Sequence, residues 1–169
     1  VFDTVEQGVF TTIGLAAAGT GGKGIAAFRL FSEHSNEIKA LYEIKPETGY
    51  PDLGYTYSDI DLFTTQNDAI AVFGNGYGSK SGNATLYLAN ITKKNREMEI
   101  VLSSDTNNGA SSPFTVIKTD TATGYQKIES AYVGDLKGNL WKVTFTYDEY
   151  GALSHNLKLL FSDPQGNPI

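Results

Sequence analysis

The residues of this chain that could do chemistry are few, and their spacing argues against most of what they could do. Gly19-Thr20-Gly21-Gly22-Lys23-Gly24 invites comparison with a phosphate-binding loop. Such a loop needs a Gly five positions before Gly22 and a Ser or Thr after the Lys; Ala17 and Gly24 stand there instead. No helix follows to offer its positive end to a phosphate, so the segment reads as a hairpin turn. His34 and His155 are the only histidines, and neither has a second His or a carboxylate at helix-facing spacing, so neither supports a zinc site or a catalytic triad. Asp59 and Asp61 fall on one face if residues 58–62 are extended. A glycosidase-type pair would also need a cleft between its carboxylates. Glu97 and Glu99 share that spacing and read as the wet face of a strand. The absence of Cys removes disulfides, thiolate metal sites and a Cys nucleophile. Asn83-Ala84-Thr85 and Asn90-Ile91-Thr92 match glycosylation sequons, which a bacterial export route would leave unused.

The aromatic residues offer recognition in place of catalysis. Tyr50, Tyr55 and Tyr57 crowd a segment that also holds Pro46, Gly49, Pro51 and Gly54 and reads as a loop. Exposed tyrosines supply rigid amphipathic contact area, so this loop is a candidate partner surface. The competing reading, of equal weight, has them covering a sheet edge. Trp141 and Tyr132 sit in an alternating segment and read as packing residues with satisfied polar tips.

Strands must position these residues. The chain has 169 residues, enough for one domain with a real core. Its 18 Gly, 10 Tyr and 9 Phe favour an all-β fold rich in turns. The net charge of −6 makes generic binding to nucleic acid or an anionic membrane a poor expectation, since both require a basic footprint. No apolar run approaches the roughly 20 residues of a membrane span. The run from Val9 to Ala18 is short and reads as a buried strand. No signal peptide is visible, and the chain opens at Val1 without a Met, as a processed or excised piece would.

Three segments can be superposed as strand, Gly-containing turn, strand: residues 11–30, 69–91 and 130–145. The central one reads AIAVFGNGY from Ala69 to Tyr77, followed by a Gly/Ser-rich turn and a second apolar run, Ala84 to Ile91. The turns begin near Gly19, Gly74 and Gly134, a period of roughly 60 residues, within reach of propeller repeats. Flanking strands are expected at 40–44, 98–102, 114–118 and 157–161, and a loop at 105–112. Four strands per repeat is the content of a propeller blade. Inner blade strands are covered on both faces and need small or branched apolar residues, as Gly14, Ala16, Ala17 and Ala18 provide. The expectation is therefore all-β, with about three four-stranded antiparallel β-propeller blades forming one partial domain over residues 1–169. A generic β-sandwich is the alternative. Three blades do not close a propeller, which takes at least about four, so the blades belong to a larger quinoprotein-like propeller, or another chain supplies the missing surface, or the architecture is not a propeller.

The wording of these repeats resembles the PilY1/PilC family of type IV pilus-associated proteins. AVFGNGY (Ala71–Tyr77) with ATLYLANI (Ala84–Ile91) is similar to the family's central motif. GLAAAGTGGKGIAAFRL (Gly14–Leu30), NGASSP (Asn108–Pro113), AYVGDLKGNLWKV (Ala131–Val143) and LLFSDPQGNPI (Leu159–Ile169) follow in the family's order. Phe28-Arg29 departs from its usual strand ending. The resemblance implies a non-enzymatic propeller module, exported to the pilus tip or outer membrane of a Gram-negative bacterium. Such a module would act in pilus biogenesis, twitching motility and adhesion. Its implied partners are pilus proteins such as minor pilins, host-surface receptors and the remainder of a larger parent chain. The family often carries a calcium loop just before the Tyr-x-Gly-Asp hairpin. In the corresponding stretch here only Asp120 and Glu129 stand near ligand positions, with threonines at the alternate places. Neutral hydroxyls and two carboxylates make a weak calcium site, so an ordinary polar turn is expected and no cofactor is assigned. GDLKGNLWK-type hairpins also occur in quinoprotein-like dehydrogenases, which makes an enzyme the alternative function; a purely structural scaffold is the third.

Overall fold

The computed structural model describes residues 1–6 and 9–169, with side chains described for Val1, Asp3 and residues 11–169. In chain order its strands are β1 (Phe2–Glu6), β2 (Val9–Ala17), β3 (Ile25–Ser32), β4 (Lys39–Ile44), β5 (Asp61–Thr64), β6 (Ala69–Gly74), β7 (Gly76–Tyr77), β8 (Ala84–Asn90), β9 (Asn95–Ser103), β10 (Gly109–Ala110), β11 (Phe114–Thr119), β12 (Gln126–Gly134), β13 (Asn139–Tyr147) and β14 (Leu153–Ser162). They form three four-stranded antiparallel meanders: β1-β2-β3-β4, β5-β6-β8-β9 and β11-β12-β13-β14. Each expected hairpin is the central pair of one meander. Every flanking strand falls where the pattern placed it, with ends longer by a few residues. One stretch read as a loop holds more order than expected: 105–112 contains β10.

The middle sheet shows why two-sided burial and small residues go together. Every residue of β6 and β8 is buried. Side chains alternate across a strand, and here the two parities go to two different cores. Ile70, Val72, Leu86 and Leu88 pack against Ile128, Ala131, Val133 and Val143 of the third sheet. Ala69, Ala71, Phe73, Tyr87 and Ala89 pack against Ile13, Ile25 and Ile44 of the first. A one-residue slip of β6 on β8 would exchange the two sets and empty both cores. Among the described residues nothing gives the third sheet such cover on its other face, where Phe114 and Val116 stay exposed on β11.

A second set of backbone bonds laces the sheets together at one end. The turn closing each central hairpin alternates with the chain segment arriving at the next sheet. Gly19 N–H donates to Thr56 O at 3.1 Å, and Gly54 N–H to Asn75 O at 2.8 Å. β7 pairs with β10 through Gly109–Tyr77 and Ala110–Gly76. Ser111 N–H then donates to Gly134 O at 2.9 Å, and Ile169 N–H to Asp135 O at 3.1 Å. Close backbone approach is what the central glycines permit. Gly76 sits at φ +68, and a Cβ there would overlap the Tyr55 carbonyl oxygen. Asn75 keeps an ordinary φ, so in Gly74-Asn75-Gly76 only Gly76 uses the left-handed region.

Candidate functional site

The lacing is fixed by two side chains at equivalent turn positions. Asn75, fully buried, follows β6. Its amide nitrogen donates to Asp52 O at 2.8 Å and Asn83 O at 2.9 Å, and its oxygen accepts from Thr85 N–H at 3.1 Å and Ala110 N–H at 2.9 Å. One side chain thus satisfies its own hairpin, the segment entering its sheet and the segment leaving it. Asp135, also buried, follows β12. Its carboxylate accepts from Trp141 Nε1 at 2.9 Å, Asn108 Nδ2 at 3.1 Å, Asn139 N–H at 2.9 Å and Lys137 N–H at 2.9 Å. Burial alone would push this carboxyl up, but the donors from Trp141, Asn139 and Asn108 outweigh it and hold it below the ordinary carboxylate range. In the first sheet the equivalent residue is Ala18. There the neighbour supplies the polar group: Thr56 Oγ1 accepts from Ala18 N–H at 3.2 Å and donates to Gly24 O at 2.8 Å.

Above this lacing the tyrosines form a ladder. Tyr55 and Tyr77 have ring centroids 5.2 Å apart. Tyr57 stacks on Tyr77 at 5.4 Å with an interplanar angle of 21°, and their hydroxyls lie 3.2 Å apart in a hydrogen bond. That bond raises the Tyr57 hydroxyl above its usual pKa. Lys23 closes one end, with its Nζ 5.2 Å from the Tyr55 centroid and bonded to Gly78 O. Tyr57, at 51% exposure, ends the other. Tyr57 and Tyr77 line an open depression of about 330 Å³ together with Leu136, Ala110, Ser111 and Ser112. Tyr77 and Leu136 escaped the sequence reading. Tyr77 closes the AVFGNGY motif, and only its backbone pairing with Tyr55 brings it to this face.

Tyr50 is not part of this face. It is 3% exposed and packs edge-on to Tyr87 at 5.3 Å and against Phe73 at 6.2 Å. Burial pushes its hydroxyl up to about 12. The short 3₁₀ turn Pro46–Thr48 and the left-handed Gly49, at φ +101, turn the chain so that Tyr50 enters the core between the first and second sheets. Asp120 and Glu129 are not brought together either. The Asp120 carboxylate accepts from Ala122 and Thr123 N–H at 2.8 and 3.2 Å in its own turn, which lowers its pKa. Glu129 lies on β12, 3.9 Å from Lys118 Nζ. Among the described residues no cluster of three or more His, Cys, Asp or Glu is placed to hold a metal.

The remaining candidates have structural roles. Asp61 accepts from Thr115 N–H at 3.1 Å and Thr115 Oγ1 at 2.8 Å, tying β5 to β11. His34 and His155 are exposed. Thr85 and Asn90 of the two sequons are buried. The Gly19–Lys23 segment is a turn with a single 3₁₀ element, Gly19–Gly21. Among the described residues no helix is long and apolar enough to cross a membrane.

The chain as a whole is similar to known proteins. The family model for the PilY1 beta-propeller domain matches residues 2–152. A type IV pilus biogenesis factor PilY1 homolog of Xylella fastidiosa is 28% identical over 179 residues, covering 99% of this chain. The type IV pilus biogenesis factor PilY1 of Pseudomonas aeruginosa strain UCBPP-PA14 is 32% identical over 145 residues, covering 84%. The chain spans 12% of the length of either relative. The crystal structure of the Pseudomonas aeruginosa PilY1 C-terminal domain superposes with a TM-score of 0.74 at 24% identity, over 98% of this chain and 37% of that one. With that family match lying over three successive four-stranded meanders, this chain belongs to the PilY1 β-propeller domain family.

Proposed function

We propose that this chain is part of the propeller of an exported, type IV pilus-associated protein. In this reading it works without catalysis, in pilus biogenesis, twitching motility and adhesion through protein–protein contacts. The observation that supports it most is the family match across residues 2–152. The relatives' names add to it, since both are pilus biogenesis factors. The lacing by Asn75 and Asp135 suits such a role, because recognition loops gain from a rigid scaffold. Residues 1–169 are then a partial propeller completed by the rest of a longer parent chain. The exposed Phe114 and Val116 on the third sheet are consistent with a further sheet there. Its partners are pilus proteins such as minor pilins, together with host-surface receptors, and its place is the pilus tip or outer membrane.

The test uses the intact parent protein in its own host. Residues 1–169 are removed in frame, and export, surface pili, twitching zones and adhesion are scored separately. Loss of surface pili and twitching with export retained is the expected result. Normal pili, twitching and adhesion from an exported deletion protein would overturn the reading. Quinone-dependent alcohol oxidation by the intact protein would overturn its non-enzymatic part.

A further inference from the structure

We propose that a following sheet of the parent chain covers the outer face of the third sheet and presents a carboxylate to Lys142 and Lys158. The inference rests on the partial-propeller reading above and adds the chemistry of the missing surface. It starts from three equivalent rows. Three residues before the turn positions Ala18, Asn75 and Asp135 stand Leu15, Val72 and Tyr132. Across the first sheet the row runs Leu15, Ala27, Tyr42. Across the second it runs Val72, Leu88, Met98, and across the third Tyr132, Lys142, Lys158. Leu15 and Tyr42 pack into the core shared with the second sheet, and Val72, Leu88 and Met98 into the core shared with the third. The row thus faces the sheet that follows. In the third sheet two lysines take the places of Leu88 and Met98.

The same face carries the marks of a covered one. Phe114, opposite Tyr132, is 70% exposed, and Phe161, aligned with Leu140 and Gly134, is 52% exposed. Ile169 lies against Gly134 as Ala110 and Ser111 lie against Gly74. Ala110 and Ser111 are the step from the second sheet to β11, so at Ile169 the chain follows the path that leads to a further sheet. A second copy of this chain set face to face would bring lysines against lysines. The lysines already repel, since like charges directly opposite destabilise a strand pair. Among the described residues neither has an ion-pair partner. Lys142 Nζ lies 5.4 Å from the Tyr132 ring centroid, drawn inward along the row and away from the edge strand β14. A sheet laid over it strips its water, and a covered ammonium without a partner is costly. A carboxylate on the covering sheet meets that demand and offsets the charge of Lys158.

The test is zero-length carbodiimide coupling of the intact parent protein, which joins an amine to a carboxylate only where the two touch, followed by peptide mass spectrometry. Lys118 and Glu129, 3.9 Å apart, are the internal control. The expected product is an amide from Lys142 or Lys158 to an Asp or Glu of the parent chain outside residues 1–169. Coupling of the control without that product would overturn the proposal, as would coupling of these lysines to another protein. Lys142→Met restores the apolar row of the second sheet. Facing a carboxylate, it strands that charge and should lower the melting temperature of the intact protein by about 4 °C or more. An unchanged or raised melting temperature would overturn the pairing. Phe114→Ser separates this from the propeller reading: a fall of about 4 °C or more shows that the face is covered, so the pairing can fail while the propeller stands. No change in Phe114→Ser would show an open face and sink both.

Discussion

Trp141 donates its indole N–H to the Asp135 carboxylate at 2.9 Å, across the turn that joins β12 to β13. The same carboxylate holds Asn108 of the segment arriving from the second sheet. Asn75 does the matching work one sheet earlier with a different balance: two donated bonds and two accepted. Asp135 only accepts. The two positions are equivalent in the repeat, yet their residues are not interchangeable.

Asp135→Asn should therefore destabilise by about 2–4 kcal/mol, because the new NH₂ must face the donors of Trp141 or Asn139. Asn75→Asp should cost about 3 kcal/mol or more, since a buried carboxylate oxygen would then face the Asp52 and Asn83 carbonyls. Urea denaturation followed by circular dichroism measures both. A loss under about 0.5 kcal/mol for either would mean that the turns rearrange freely.

The acid limb of stability should carry the signature of Asp135. Its folded pKa is depressed below the ordinary value of about 3.9. A depressed carboxyl contributes stability that is present above the unfolded pKa and lost as pH falls through the folded one. The denaturation midpoint should hold from about pH 7 to pH 5 for this group and fall below about pH 4. Asp120 and Asp163 are lowered as well, so the diagnostic is a difference. Asp135→Asn should show a shallower acid slope than the parent chain. Parallel slopes would show that this carboxyl titrates alike in both states.

Gly76 and Gly124 separate close approach from conformational freedom. Both have positive φ, +68 and +74. At Gly124 a Cβ meets nothing within 4 Å, whereas at Gly76 it meets the Tyr55 backbone. Gly124→Ala should cost about 1 kcal/mol, the ordinary penalty of a left-handed L-residue. Gly76→Ala should cost at least about 3 kcal/mol, because backbone must move and the β7–β10 pairing moves with it. Thermal melts of the two variants compare them directly, and equal losses would refute the close-packing account.

Local signals made the three hairpins legible, and distant partners hid the site. Gly-rich turns between apolar runs mark β2–β3, β6–β8 and β12–β13 because turn chemistry and alternation are local properties. The Asn75 to Ala110 bond spans 35 residues, and nothing near Asn75 announces it, so Gly74-Asn75-Gly76 reads as a simple turn. The three tyrosines of the Pro/Gly-rich segment look alike in sequence. Gly49 turns Tyr50 inward, while Tyr55 and Tyr57 stay with Tyr77 on the surface. Burial of that kind is decided by the sheets on either side, which local composition does not encode.

Calcium gives the last test, because Asp120 and Glu129 have other work. The Asp120 carboxylate is occupied by the N–H groups of Ala122 and Thr123, and Glu129 points to Lys118. Two separated carboxylates bring too little charge for a cation that takes six to eight oxygens. Millimolar Ca²⁺ or EDTA should shift the melting temperature by less than about 1 °C, whereas a ligand at 100 times its Kd would stabilise by about 2.7 kcal/mol. Asp120→Ala should instead speed amide exchange at Ala122 and Thr123, equally with and without Ca²⁺. A melting temperature that rises with Ca²⁺ in the parent chain and not in Asp120→Ala would restore the loop as a metal site.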